Sequence, residues 1–265
     1  MTNIPAVSGS GATDSAPVEL TRPHPSVVLI TLRRTDKLNA IDLDMTDAIE
    51  ATCESLADEH EVSVVILTGA GRGFSSGADL SSLAAHAAAG ARAMMRTAGR
   101  SVRALARLPQ LTICAVNGPA VGAGFGLVLA CDLRIASPTA RFGATFANMG
   151  LGPDFGLSRT LPGTVGRHRA LELLLSTRLI DATEALRLGL VNEIADDAVE
   201  RSRELAEQFV RVPLRTIRSI KATLAAAENA DFDRVVDQIE AEAQTRLLEH
   251  PDFLSDASAW IAPHM

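Results

Sequence analysis

Three short stretches hold the residues best suited to chemistry. The first, Gly73-Phe74-Ser75-Ser76-Gly77, matches GxSxG, which presents a nucleophilic serine on a sharp strand-to-helix turn. That turn needs a strand running straight into the serine. Here the apolar run ends near Thr68 and Gly69-Ala70-Gly71-Arg72 intervene, which argues against a serine hydrolase. The second, Gly122-Ala123-Gly124-Phe125-Gly126, fails as a dinucleotide fingerprint, because the third glycine of GxGxxG falls at Leu127. Its physical content survives. Glycines beside a helix N-terminus allow close approach to unpaired N–H donors, the construction of an oxyanion hole.

The third stretch runs from Gly150 to Leu157 and holds Asp154 among few other polar groups. Apolar surroundings destabilise a carboxylate and raise its pKa toward the range useful for proton transfer. The ordinary alternative is an N-cap for a helix starting at Phe155. The histidines (His24, His60, His86, His168, His250, His264) are dispersed and form no site, and Arg33-Arg34 with Lys37 reads as a solvated strand end. Cys53, Cys114 and Cys131 are too few for a disulfide framework or a CxxC metal site and fit a reducing, cytoplasmic setting. No metal ligand set is expected.

The elements that must position these residues follow from pattern. The 265-residue chain is 47% hydrophobic and 22% charged, which suits a globular protein and excludes a disordered one. Its net charge of −7 argues against a nucleic-acid partner. Met1 to Leu20 has neither Lys nor Arg and no apolar core, so no signal peptide is expected and residues 1–17 read as a disordered tail. Leu111 to Cys131 is uncharged and of membrane length, but Asn117-Gly118-Pro119 and three later glycines break it, so no membrane span is expected.

Strands are expected at Ser26–Leu32, Val62–Leu67, Leu111–Val116 and Leu133–Ala136, with an extended piece near Ala140–Phe142. Helices are expected from an Asp44 N-cap to about Asp58, and over Leu80–Arg107 with breaks near Gly90 and Gly99. A further helix follows the glycine run, and from Arg167 onward the chain reads as mostly helical. Strand–helix alternation makes this an α/β chain.

Taken in order, the motifs resemble the crotonase (enoyl-CoA hydratase/isomerase) family. The marks are Lys37-Leu38-Asn39-Ala40-Ile41-Asp42, Gly73 to Leu80, Asn117 to Gly124, Cys131-Asp132-Leu133-Arg134, Leu161-Pro162 to Arg167, and Ala182-Leu186-Gly189-Leu190-Val191. The resemblance implies an α/β fold whose core is a ββα superhelical spiral (18–200), followed by a C-terminal helical trimerisation region (201–265). It implies an acyl-CoA substrate, with no separate cofactor, and a homotrimer or dimer of trimers. Its thioester oxygen would lie between the backbone N–H groups of Ser76 and Ala123. CoA would pass Lys37, Leu38 and Ala40 on one loop and Ala78, Asp79 and Leu80 on another.

The chain departs from the hydratase pattern. Family hydratases carry two glutamates where this sequence has Gly126 and Phe146, so nothing obvious activates water. The stretch around Asp154 is similar to the family's aspartate-dependent isomerases, including the ring-epoxide type. The expectation is therefore an enoyl-CoA isomerase in which Asp154 shuttles a proton along an oxyanion-stabilised enolate. The alternatives are a hydratase-type lyase, a hydrolase or dehalogenase with Asp154 as nucleophile, and a non-catalytic acyl-CoA binding protein.

Overall fold

A computed structural model describes residues 16–261; the expected tail lies outside the described residues except for Ala16 and Pro17. In chain order the strands are β1 (Val18–His24), β2 (Val27–Leu32), β3 (Val64–Gly69), β4 (Leu111–Val116), β5 (Ala120–Val121), β6 (Leu133–Ala136), β7 (Arg141–Gly143), β8 (Ile180–Asp181) and β9 (Glu193–Ile194). The helices are α1 (Leu43–Ala57), α2 (Leu80–Ala106), α3 (Ala123–Ala130), α4 (Leu157–Val165), α5 (Arg167–Ser176), α6 (Ala182–Arg187), α7 (Ala198–Phe209), α8 (Leu214–Ala227), α9 (Phe232–Arg234), α10 (Ala241–Leu248) and α11 (Phe253–Ile261).

The main sheet runs β1-β2-β3-β4-β6-β9, and β5-β7-β8 form a smaller one. From β2 to β9 every pairing in the main sheet is parallel, so each connection must cross back over the sheet. Both faces of β2 to β4 are therefore covered, which explains the unbroken runs Val27-Val28-Leu29-Ile30 in β2 and Val64-Val65-Ile66-Leu67 in β3. Alternate residues serve two cores. Val28, Ile30, Val65, Leu67, Cys114 and Val116 pack with residues of α1, α2 and α3. Val27, Leu29, Val64, Ile66, Ile113 and Ala115 pack with Ala198 and Ala206 of α7. The expected boundary between spiral and C-terminal region, at residue 200, thus falls inside a helix that closes the sheet.

Several expectations need correction. Asp42, not Asp44, caps α1: its carboxylate accepts from Met45 N at 2.9 Å, while Asp44 sits in the first turn. Gly90 kinks α2 at φ 155°, but the helix runs through Gly99 unbroken. Strand β1 gives little sequence signal because it is a mostly exposed edge containing Pro23, and an edge is where a sheet tolerates proline. Helix α4 hides its pattern behind Gly156, Pro162 and Gly163. Strands β5, β8 and β9 have two residues each, too few to show a period.

Candidate active site

Parallel strands deliver their following loops to one edge of the sheet, where ligand crevices form. Here the loops after β2, β3 and β4 continue the pairing through isolated parallel bridges, Ile41 with Ala78 and Ser75 with Ala120. Asn39 ties the first two together. Its Oδ1 accepts from Arg34 N, and its Nδ2 donates to Ala70 O and Gly73 O, all at 2.9 Å. Ser75, the serine of the GxSxG pattern, is fully buried; its Oγ donates to Asn39 O at 2.8 Å and accepts from Gly77 N. It braces the loop and is not presented as a nucleophile.

The expected oxyanion donor Ser76 is spoken for. Its N–H donates to Leu38 O at 2.9 Å, and its Oγ to Lys37 O at 3.1 Å. Bridge parity points to Ala78 instead. Ile41 N donates to Gly77 O at 2.8 Å and Asp79 N donates to Ile41 O at 2.9 Å, so the N–H of the intervening Ala78 faces away from Ile41. Ala78 and Ala123 line the same cavity. Ala123 is the first residue of α3, where an N–H has no acceptor within its own helix. The two loops touch closely: a β-carbon on Gly77 would lie 3.6 Å from Ala123 N. Sequence alone could not single out the Ala78 N–H, because that depends on which side of a bridge an amide faces.

The cavity is about 650 Å³ and mainly apolar, with Leu80, Leu83, Met94, Met95, Phe146, Met149, Leu151 and Pro153 on its walls. Among the described residues that line it, Asp154 is the one with an ionisable side chain. Burial pushes its carboxyl up to about 6, opposed in part by its own backbone N–H, and its Oδ1 is buried without a hydrogen-bond partner among the described residues. The N-cap alternative does not hold. The cap of α4 is Gly156, with no side chain bonded to the helix end, and Asp154 accepts from Leu157 N only through its backbone oxygen. Phe155 (φ 47°) and Gly156 (φ 79°) form a left-handed turn that carries the carboxyl.

Of the expected CoA contacts, Ala78 and Leu80 line this cavity; Lys37, Leu38 and Ala40 sit on the adjoining loop after β2. Asp79 is committed elsewhere. It accepts from the Ser81 hydroxyl at 2.5 Å and from Arg34 at 2.9 Å and caps α2 through Ser82 N and Ser81 N, which together hold its carboxyl well below the usual range. Arg34 is accordingly no solvated strand end: it also donates to Ala40 O at 2.7 Å and pairs with Asp42 at 3.0 Å. Phe146, at one hydratase-glutamate position, walls the cavity, whereas Phe125 is core, its ring tilted 52° against that of Phe142 with centroids 5.8 Å apart.

A sequence model of the family described as enoyl-CoA hydratase/isomerase matches residues 22–254. The chain belongs to this family. It is therefore an acyl-CoA enzyme of the crotonase fold, as the order of motifs implied. The 1,2-epoxyphenylacetyl-CoA isomerase of Escherichia coli K12 is 32% identical over 242 residues, 89% of this chain and 92% of that one. A Mycobacterium leprae protein named "Probable enoyl-CoA hydratase" is 42% identical over 190 residues, 68% of this chain but 64% of its own length. An enoyl-CoA hydratase structure from Bacillus anthracis superposes with a TM-score of 0.88 at 30% identity, covering 92% of this chain and 95% of that one. The crotonase-family neighbours also include a Thermobifida fusca structure in complex with CoA (TM-score 0.79, 32% identity, 88% and 93% covered).

Proposed function

We propose that the protein isomerises an enoyl-CoA, with Asp154 as the proton-transfer group and the N–H groups of Ala78 and Ala123 holding the thioester oxygen. One observation carries this reading: a single half-buried carboxyl, Asp154, faces an apolar cavity walled by Phe146, and neither Phe146 nor Gly126, the two hydratase-glutamate positions, supplies a carboxylate. A base with pKa near 6 is mostly ionised at neutral pH yet close enough to it to return its proton. On a β,γ-enoyl-CoA, Asp154 takes a proton from Cα and the electron pair moves onto the thioester oxygen. The two amides stabilise that charge, usually a large share of the barrier lowering. Asp154 then delivers the same proton to Cγ, and the double bond shifts into conjugation. Nothing is gained or lost overall, so one carboxyl suffices. The kinship with the Escherichia coli isomerase supports the same chemistry.

The loops bearing Lys37, Leu38, Ala40 and Leu80 are the proposed path of CoA. Three buried free thiols support a cytoplasmic setting, and among the described residues no helix is long and apolar enough to cross a membrane. The decisive experiment incubates a β,γ-enoyl-CoA with the enzyme in deuterated water. Double-bond migration without formation of a hydroxyacyl-CoA is expected, with Asp154→Asn slowing it by roughly 10²–10⁴. Water addition would favour the lyase reading, and an acyl-CoA bound but unchanged would favour a passive binder. Full activity in Asp154→Asn would end the proposed mechanism.

A further inference from the structure

We propose that Gly126 is a positioning residue: the absent side chain at this position is the seat for the turn carrying Asp154, so that α3 sets the carboxyl's stand-off from the Ala123 donor. The inference rests on the reading of Asp154 as the proton-transfer group. A β-carbon built on Gly126 would lie 2.4 Å from Phe155 Cβ and 2.7 Å from Phe155 O. The oxygen and the start of the Phe155 side chain are tied to the backbone, so the obstacle cannot swing aside like the tip of a flexible chain. Gly126 is buried, three residues beyond Ala123 on one short helix, and residues at that spacing share a face. Gly126 N donates to Gly122 O at 3.0 Å, which keeps that first turn regular. One turn of α3 therefore carries the donor at its start and the seat at its end.

The turn itself needs such a support. Phe155 holds φ 47°, a conformation that side-chain-bearing residues adopt at a cost, and such strain persists only where the surroundings enforce it. Its ring is buried beside a second cavity of about 40 Å³ that also touches Asp154. The seat also explains the departure from the hydratase pattern. A glutamate at 126 and this turn would claim the same space, so this chain can present the Asp154 carboxyl only by giving up the other one.

The test follows the carboxyl itself. Asp42 and Asp79 share the small cavity with Asp154, and both are paired with Arg34; among the described residues no Lys, Arg or His lines either cavity. No described lining residue is a cation placed to lower the Asp154 midpoint, so a fall in it is read as greater solvation. In Gly126→Ala, ¹³C-carboxyl titration, assigned with Asp154→Asn, should show the midpoint falling from about 6 toward the ordinary 3.8 as the displaced turn meets water. Turnover of a β,γ-enoyl-CoA should fall at least tenfold, while the Kd of a saturated acyl-CoA stays within about twofold. Gly126→Ala placed on Asp154→Asn should cause no further loss of turnover. A folded Gly126→Ala with midpoint and turnover unchanged would overturn the proposal. Should that variant not fold, Gly126→Ala with Phe155→Gly removes the Cβ contact and leaves the 2.7 Å clash with the backbone oxygen of residue 155; its midpoint should then fall below that of Phe155→Gly alone, and a midpoint equal to that of Phe155→Gly overturns the seat. Full turnover in Asp154→Asn alone would instead defeat the proton-transfer reading, because the midpoint tests the seat without reference to activity.

Discussion

At the scale of single residues, the same desolvation that arms Asp154 must weaken the fold. Its ordinary value of 3.8 rises to about 6 in the folded chain. Between those values the folded state keeps a proton that the unfolded state has released. The stabilising effect of the raised pKa is therefore complete below about pH 4 and is lost as pH climbs through 6. A shift of this size corresponds to about 3 kcal/mol at 1.36 kcal/mol per unit, and partial exposure of the group reduces it to about 1–2. Asp154→Asn, which has no such titration, should therefore gain on the wild type by about 1–2 kcal/mol between pH 4 and pH 7 while losing activity. Urea unfolding of both proteins across that range checks this, and a difference independent of pH would mean that the carboxyl is not desolvated. Asp154 was legible as a candidate from its apolar context. Its release from the capping role was not, because a helix start is moved by a single left-handed residue that local sequence does not announce.

At the scale of elements, the C-terminal helices are fastened to the sheet by a polar junction. Lys221 of α8 donates to Leu108 O at 2.9 Å, Gln110 O at 2.7 Å and Asp132 Oδ2 at 2.6 Å. The same Asp132 oxygen accepts from Thr112 N and Thr112 Oγ1, both at 2.8 Å. Both charged side chains are about three-quarters shielded, so removing one leaves its partner and two carbonyls poorly satisfied. Lys221→Met, which keeps the stem length, should cost about 1–3 kcal/mol, below the full penalty of a completely buried pair. It should leave the Asp154 site intact. Thermal melting with turnover at low temperature would show this; unchanged stability would mean that solvent already serves these groups. The long helices and buried strands were legible because a core face repeats every two or about 3.6 residues. Cys131-Asp132-Leu133-Arg134 was recognisable as a motif, but its partner lies 89 residues away on α8. No local pattern can supply a contact of that range. The small strands were invisible for a related reason, since each exists only through the neighbour it pairs with.

At the scale of the whole molecule, the lone chain sets exposed large apolar side chains side by side on its helices, an arrangement that marks an interaction surface. On the C-terminal helices Ile220 is 52% exposed, Leu224 69%, Phe232 79% and Leu254 74%. Ile220 and Leu224 are four residues apart on α8 and so form one stripe. A second stripe, Leu171 (51%) and Leu175 (68%), lies on α5. Symmetric association is the common way to cover such patches, and the family resemblance favours three-fold closure. Sedimentation equilibrium at micromolar concentration should therefore give about 84 kDa, three chains of 27.9 kDa, or about 167 kDa if the α5 stripe joins two trimers. The two patches can be told apart. Leu224→Asp with Phe232→Asp should release single chains, since burying those carboxylates in an apolar interface is unfavourable. Leu175→Lys should at most return a hexamer to trimers. A wild-type protein sedimenting as a single 27.9 kDa chain would refute the assembly and require another cover for the C-terminal face.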